Sequence, residues 1–246
     1  MKMSARLLAL SLIVLPAVPA LAATAAPTAA GPATVARYTF DAGATVAGRV
    51  AENSGRGLPL TVRTADRGAV RFLAGKTGRY VAFPGRCASG ATSCPRALLE
   101  APNDADLNPG TRPFRWGASV LVTLAQLSGS SNVMQKGVTT TDSQWKLQIG
   151  DTHGRAQCVL VGRGSTTAYI ARSSVTVADG AWHRVLCRRS GTTLAVYVDG
   201  VNRGRAAVPA ALSVANALPL RIGGPNFNRG SDMYHGYLDE VVALLG

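Results

Sequence analysis

One block constrains this chain more than any other: Asp179-Gly180-Ala181-Trp182-His183-Arg184-Val185-Leu186-Cys187, followed after Ser190-Gly191 by Leu194-Ala195-Val196-Tyr197-Val198-Asp199-Gly200. It spells a turn, a half-buried strand, a tight turn, a second alternating strand and an Asp-Gly reversal. Asp-Gly after an alternating run marks a hairpin, because glycine tolerates the positive φ that a type I′ turn demands.

The same period of two recurs along most of the sequence. Val35–Phe40, Leu58–Val62, Tyr80–Phe83, Trp116–Leu124, Trp145–Ile149, Cys158–Val161, Ala168–Ala171, Leu220–Ile222 and Tyr237–Leu245 all read as short strands. Turn residues such as Gly75, Gly85, Pro109-Gly110, Gly150-Asp151 and Gly223-Gly224-Pro225 separate them. Many short strands with turns every ~8–12 residues predict an all-β fold, a two-sheet antiparallel sandwich. Residues 209–217 alone look helix-like, and read as a short turn or irregular crossing.

The first 34 residues stand outside that pattern. Lys2 and Arg6 precede an apolar run from Leu7 to Leu15, and Ala20-Leu21-Ala22 supplies small residues for cleavage. This is the build of an export signal over residues 1–22. The run is shorter than the ~20 residues a membrane span needs, so no stable insertion is expected after cleavage. Residues 23–34, rich in Ala, Thr, Pro and Gly, read as a flexible linker. Residues 35–246 then form one domain, of a size common for single sandwiches. The expected location is secreted, extracellular.

The formal net charge is +13. A basic exported protein invites a polyanionic glycan, a cell envelope or nucleic acid. Arginine, however, far outnumbers lysine and is scattered along the chain, which fits coding drift as well as function. Nucleic acid is not an expected partner.

Four cysteines in an exported chain should be oxidised, and three pairings are possible. Cys87 and Cys94 enclose a short Ser/Gly/Ala loop and can bridge locally. Cys158 and Cys187 each lie in a strand-like run and would clip neighbouring strands, contributing about 3 kcal/mol. No CxxC pair or HxxxH supports a zinc site.

The hairpin spelling "DG-x-WH-x-V … L-x-VDG" resembles the laminin-G-like, concanavalin A-like jelly rolls. Tyr38-Thr39-Phe40-Asp41-Ala42-Gly43, Glu52–Gly57, Arg115–Val120, Gln135-Lys136-Gly137, Arg221-Ile222-Gly223-Gly224 and Gly236–Val241 match further segments in order. The resemblance implies a secreted recognition fold. Some members hold calcium between the opening loop and the closing strand, where Asp41, Glu52 and Asp239 could supply oxygen ligands. Arg56 places a positive charge beside that position. The resemblance thus allows a structural calcium ion, against which Arg56 weighs, and no cofactor is required.

Trp182 is expected to fill the space between the sheets, with His183 on the opposite face and Asp179 and Asp199 serving turns. The glucanases that this fold also hosts carry acids as "E-x-D-x-E", and its lyases a "Q-I-H" strand. Neither occurs here, and no GxSxG or HExxH is present. The expected protein is not an enzyme but a recognition module for an extracellular glycan or another cell-surface partner; the alternative is an envelope structural or protein-interaction domain. A sugar site needs aromatics beside amides and carboxylates. The polar loop from 226 to 235 offers Asn226, Phe227, Asn228, Asp232, Tyr234 and His235.

Overall fold

The computed structural model describes residues 31–246 apart from Ser89, Ser128, Thr140, Thr141 and Arg229. The expected export signal, and the linker as far as residue 30, lie outside the described residues. The first strand, β1 (Ala33–Tyr38), takes in the last two residues assigned to that linker. Ala33 and Thr34 pair with Leu245 and Leu244, partners 212 and 210 residues away in sequence that local composition does not announce.

Every strand pairing is antiparallel, in two sheets. The remaining strands are β2 (Arg49–Val50), β3 (Leu60–Ala65), β4 (Arg71–Ala74), β5 (Arg79–Ala82), β6 (Arg96–Ala101), β7 (Phe114–Thr123), β8 (Ser131–Lys136), β9 (Gln144–Gly150), β10 (Arg155–Val161), β11 (Ala168–Thr176), β12 (Asp179–Ser190), β13 (Thr193–Val198), β14 (Val201–Ala207), β15 (Leu220–Ile222) and β16 (Tyr237–Leu245). The first sheet runs β14-β13-β12-β7-β16-β5-β4, with β1 also on β16. The second runs β11-β10-β9-β8-β15-β6-β3-β2. Residues 209–217 contain no helix, and cross the end of the sandwich through a bridge between Val214 and Gly110.

Alternation decides which side chains meet between the layers. On β7, Phe114, Trp116, Ala118, Val120 and Val122 turn inward; on β9, Trp145, Leu147 and Ile149 do so. Phe114, Trp116 and Trp145 form a three-ring cluster with centroids 5.3–5.8 Å apart. The Trp145 indole N–H is satisfied by donating to the Leu107 carbonyl at 2.9 Å. Lys136 and Arg189, though charged, are fully buried at strand ends. The Lys136 ammonium donates to the Asn216 carbonyl at 2.7 Å and to Asn108 Oδ1 at 2.9 Å. Burial lowers its pKa to about 8.

Both disulfides pair as expected, Cys87 with Cys94 and Cys158 with Cys187. The second does not clip neighbouring strands. β10 and β12 belong to different sheets, so the bridge, with Cα atoms 5.5 Å apart, ties the two layers through the core.

The placement of Trp182 is also corrected. Cys187 and Val185 point inward, and strand parity then sends Trp182 to the outer face, where it is 41% exposed. There its ring meets Tyr80 edge-on at 5.4 Å, and Tyr80 meets Tyr237 in the same way. His183 takes the inward parity and is half-buried.

Candidate functional site

The loop after β15 is held by backbone hydrogen bonds to the second sheet. Gly223 turns it with φ of 89°, a conformation that favours glycine, and a Cβ at that position would collide with the Phe83 ring. Its N–H donates to the Val133 carbonyl, and its carbonyl accepts from the Tyr234 N–H. Further on, Asn226 Oδ1 accepts from the Asn228 N–H at 2.8 Å and from the Ser231 hydroxyl. The Asp232 carbonyl accepts from the Asn132 N–H at 2.9 Å, strapping the loop to β8.

Opposite this loop stands the short loop closed by Cys87–Cys94. Between them opens a cavity of about 550 Å3, walled by Phe227, Asn228, Ser231, Met233 and His235 on one side and by Arg86, Cys87, Thr92 and Cys94 on the other. Arg96 and Asp66 complete the lining. Arg96 joins the parts: its guanidinium contacts Asp66 Oδ2 at 2.6 Å, donates to the carbonyls of Cys94 and Phe227, and lies 5.9 Å from the Phe227 ring centroid. Arg86 has no ion-pair partner among the described residues. Among the described residues, the cavity lining thus carries the Arg96–Asp66 pair and the further cation Arg86.

His235 is 8% exposed and lines the cavity. Burial lowers its pKa, opposed by the hydrogen bond to the Pro84 carbonyl, and Arg86 lowers it further. The ring is neutral near pH 7. A carbonyl can only accept, so Nδ1 carries the proton at 2.8 Å from Pro84, and Nε2 is left as an acceptor.

The six loop residues expected to form a site thus divide. Phe227, Asn228 and His235 share the cavity, while Asn226 organises the loop. Asp232 belongs to the neighbouring sheet face. Tyr234 is corrected from ligand candidate to core residue: it is 1% exposed, and its hydroxyl is engaged by the Leu121 and Tyr237 carbonyls. Arg86, Arg96, Asp66 and the disulfide loop went unread, although arginines flank both cysteines in the sequence, Arg86-Cys87 and Cys94-Pro95-Arg96.

Among the described residues, the three acids considered for calcium do not gather as one group. Glu52 spends both oxygens on the N–H groups of Arg37, Ser54 and Arg56, at 2.7–3.0 Å. Asp41 accepts from the Arg79 N–H at 2.9 Å. Asp239 feels the charge of Asp41, but among the described residues no three acidic, His or Cys groups gather in a metal-binding arrangement. Trp182, Tyr80 and Tyr237 form the other aromatic surface, on the opposite sheet.

A laminin G-type family model, described as the concanavalin A-like lectin/glucanases superfamily, matches residues 107–243, more than half of the chain. The chain belongs to this superfamily. No match is found among curated proteins. Several solved structures share the superfamily's sandwich. Domain 4 of AbnA, a GH43 extracellular arabinanase from Geobacillus stearothermophilus solved with arabinotriose, has a TM-score of 0.65 at 16% identity, over 87% of this chain and 93% of that one. The binding domain of Paraclostridial Mosquitocidal Protein 1 has a TM-score of 0.63 at 12% identity, over 85% of this chain and 48% of that one. The binding domain of botulinum neurotoxin DC, in complex with SialylT, has a TM-score of 0.61 at 10% identity, over 86% and 47%. The chain spans about half the length of these two toxin domains.

Proposed function

We propose that this superfamily member is an extracellular, non-catalytic glycan-recognition module, with the cavity between the Cys87–Cys94 loop and the loop from 226 to 235 as its site. The observation that carries this reading is the cavity itself. Its volume falls in the ~300–1,000 Å3 range of ligand sites. Phe227 offers a ring, Asn228 and His235 offer polar groups, and Arg86 a guanidinium without an ion-pair partner among the described residues. Arabinotriose and SialylT bound to two structural neighbours support the same class of ligand.

Hydrolysis of a glycoside takes two carboxylates flanking the scissile bond. The described cavity lining holds one, Asp66, and Arg96 occupies it. The two disulfides suit an oxidising compartment, and no described helix is long and apolar enough to cross a membrane.

The test is to pass the protein over immobilised polygalacturonate and arabinan, and to assay the eluate for released sugar. Retention without sugar release is expected, with Phe227→Ala weakening retention about tenfold, on the order of one stacking contact. Released sugar would refute the non-catalytic reading. No retention on any glycan would refute the glycan reading in favour of a protein partner.

A further inference from the structure

Two side chains line the rim cavity from different loops with hydrogen-bonding capacity left over. Arg86, beside Cys87, is exposed and has no hydrogen-bond or ion-pair partner among the described residues. His235 comes from the far end of the loop from 226 to 235. Its Nδ1 is committed to the Pro84 carbonyl at 2.8 Å, which fixes the ring and its tautomer. Pro84 lies two residues before Arg86, so the same bond holds the ring near Arg86, whose charge is felt at His235. The remaining nitrogen, Nε2, has no partner among the described residues. It is not one of their enclosed unpartnered atoms either, so it stays open on the cavity that the ring lines.

The other groups around His235 leave this pair to set the local charge. Asp66, just after β3, and Arg96, at the start of β6, also line the cavity, and they bind each other at 2.6 Å. Gln126, which donates to the His235 carbonyl at 2.9 Å, is neutral. Among the described residues, the lining therefore offers a ligand one uncompensated positive charge, with a histidine beside it that can carry a second.

A carboxylate suits these two groups, and the histidine makes its binding depend on a proton. One carboxylate oxygen can accept from Arg86. The other, brought to Nε2, meets a lone pair when the ring is neutral and a donor when the ring is protonated. Protonation leaves the Nδ1–H bond to Pro84 intact, so the ring need not move. Burial and the Arg86 charge favour the neutral ring. A carboxylate placed between them acts the other way, since an opposite charge within ~4–6 Å favours the protonated form. Binding should therefore take a proton from solution onto Nε2.

We propose that Arg86 and His235 form a proton-linked clasp for the carboxylate of an acidic sugar, closing more tightly in mildly acid surroundings than near neutrality. The clasp rests on the glycan-recognition reading of this cavity. It gives that reading a substrate class, sugars bearing a carboxylate, and a control by pH.

Titration calorimetry with trigalacturonate tests it, with arabinotriose as the neutral control. The trigalacturonate Kd should rise about tenfold between about pH 5.5 and 7.5, a range in which sugar carboxylates stay ionised and histidine titrates. Runs near pH 7 in two buffers of different ionisation heat should show proton uptake on binding. His235→Gln should bind at the lower pH about as weakly as the wild type does at the higher one, with no proton uptake. Arg86→Gln should weaken binding several-fold at both. In the wild-type protein the His235 ring NMR signal should titrate about one pH unit higher with trigalacturonate than without, a readout that needs no variant to fold. Trigalacturonate binding that ignores pH, a slope that persists in His235→Gln, or an unmoved His235 titration would overturn the clasp and leave the recognition module standing. So would an equal slope with arabinotriose, or binding of arabinotriose alone. No binding of either sugar, with no retention on any glycan, would overturn both.

Discussion

His183 lies between two carboxylates, with Nδ1 2.8 Å from Asp199 Oδ2 and Nε2 3.1 Å from Asp179 Oδ1. Burial alone would lower its pKa, but the hydrogen bonds and charges of Asp199 and Asp179 outweigh it and raise the value. A raised folded-state pKa means stabilisation that is complete below the unfolded value of ~6.5 and lost as pH climbs through the folded one. His183→Ala should therefore lower the melting temperature most near pH 5–6 and least near pH 9; a pH-independent difference would sink this. Asp239 is the reverse case for a carboxyl. Burial, with repulsion from Glu240 and Asp41, raises it to about 6. Its protonated form is favoured in the fold, so stability falls as pH rises from ~4 through about 6. Asp239→Asn should stabilise at pH 7.5 and change little at pH 4, as differential scanning fluorimetry would read. The turn role of Asp179 was legible, and the structure keeps it: Asp179 accepts from the Ala181 N–H two residues on. Asp199 stands in the turn after β13 but reaches across to β12, accepting from the Arg184 N–H. That both acids also hold His183 was not legible, because the contact depends on how the ends of β12 and β13 meet. The electrostatic contact of Asp41 with Asp239, and the three backbone N–H groups that Glu52 accepts from, depend on loop geometry that local sequence does not record.

At the scale of elements, parity is the rule that sequence reading can apply and here applied to the wrong residue. Size argued for Trp182 in the core. Cys187, obliged to reach a partner through the core, fixes the inward set as 187, 185 and 183, and so turns Trp182 outward. The disulfide pairing was available from the sequence, and counting back from it would have placed the tryptophan. Since Trp116 and Trp145 are fully buried, Trp182 should account for nearly all acrylamide quenching of tryptophan fluorescence, and Trp182→Phe should abolish it. The inter-sheet bridge closes a loop of 29 residues in sequence separation. Replacing both cysteines by alanine should cost about 3 kcal/mol, and lower the melting temperature on the order of 10 °C at ~2–4 °C per kcal/mol. Far-UV circular dichroism should stay that of a sheet protein, because the hydrogen-bonded ladders of β9-β10 and β7-β12 do not depend on the bridge. Loss of the sheet signal would show the bridge to be a condition of folding. Less legible was the division of strands between layers. β15 sits between β6 and β8, and β16 between β5 and β7, partners set by long connections that local patterns do not record.

For the whole molecule the open matter is the excess of positive charge. Eight arginines engage acids across the described surface, among them Arg37 with Glu240, Arg155 with Asp151 and Arg221 with Glu100. With 13 acidic residues against 26 basic ones, many cations must remain unpaired wherever the chain folds. Scattered charge raises the attraction for any polyanion, whereas the rim cavity concentrates Arg86 beside Phe227 at one place. Salt separates these contributions. Screening shortens from ~10 Å at 0.1 M to ~3 Å at 1 M, which removes diffuse attraction but spares short-range hydrogen bonds to a neutral sugar. Retention on polygalacturonate should thus fall steeply between these concentrations, while retention on arabinan should change less than about twofold. Arg86→Ala should reduce the polygalacturonate affinity at 0.1 M by several-fold. Arg203→Ala, an exposed substitution on β14 of the other sheet, removes the same unit of charge and should reduce it much less. Equal losses from the two variants would mean that the basic balance acts as a diffuse field, and that the rim cavity does not select acidic glycans.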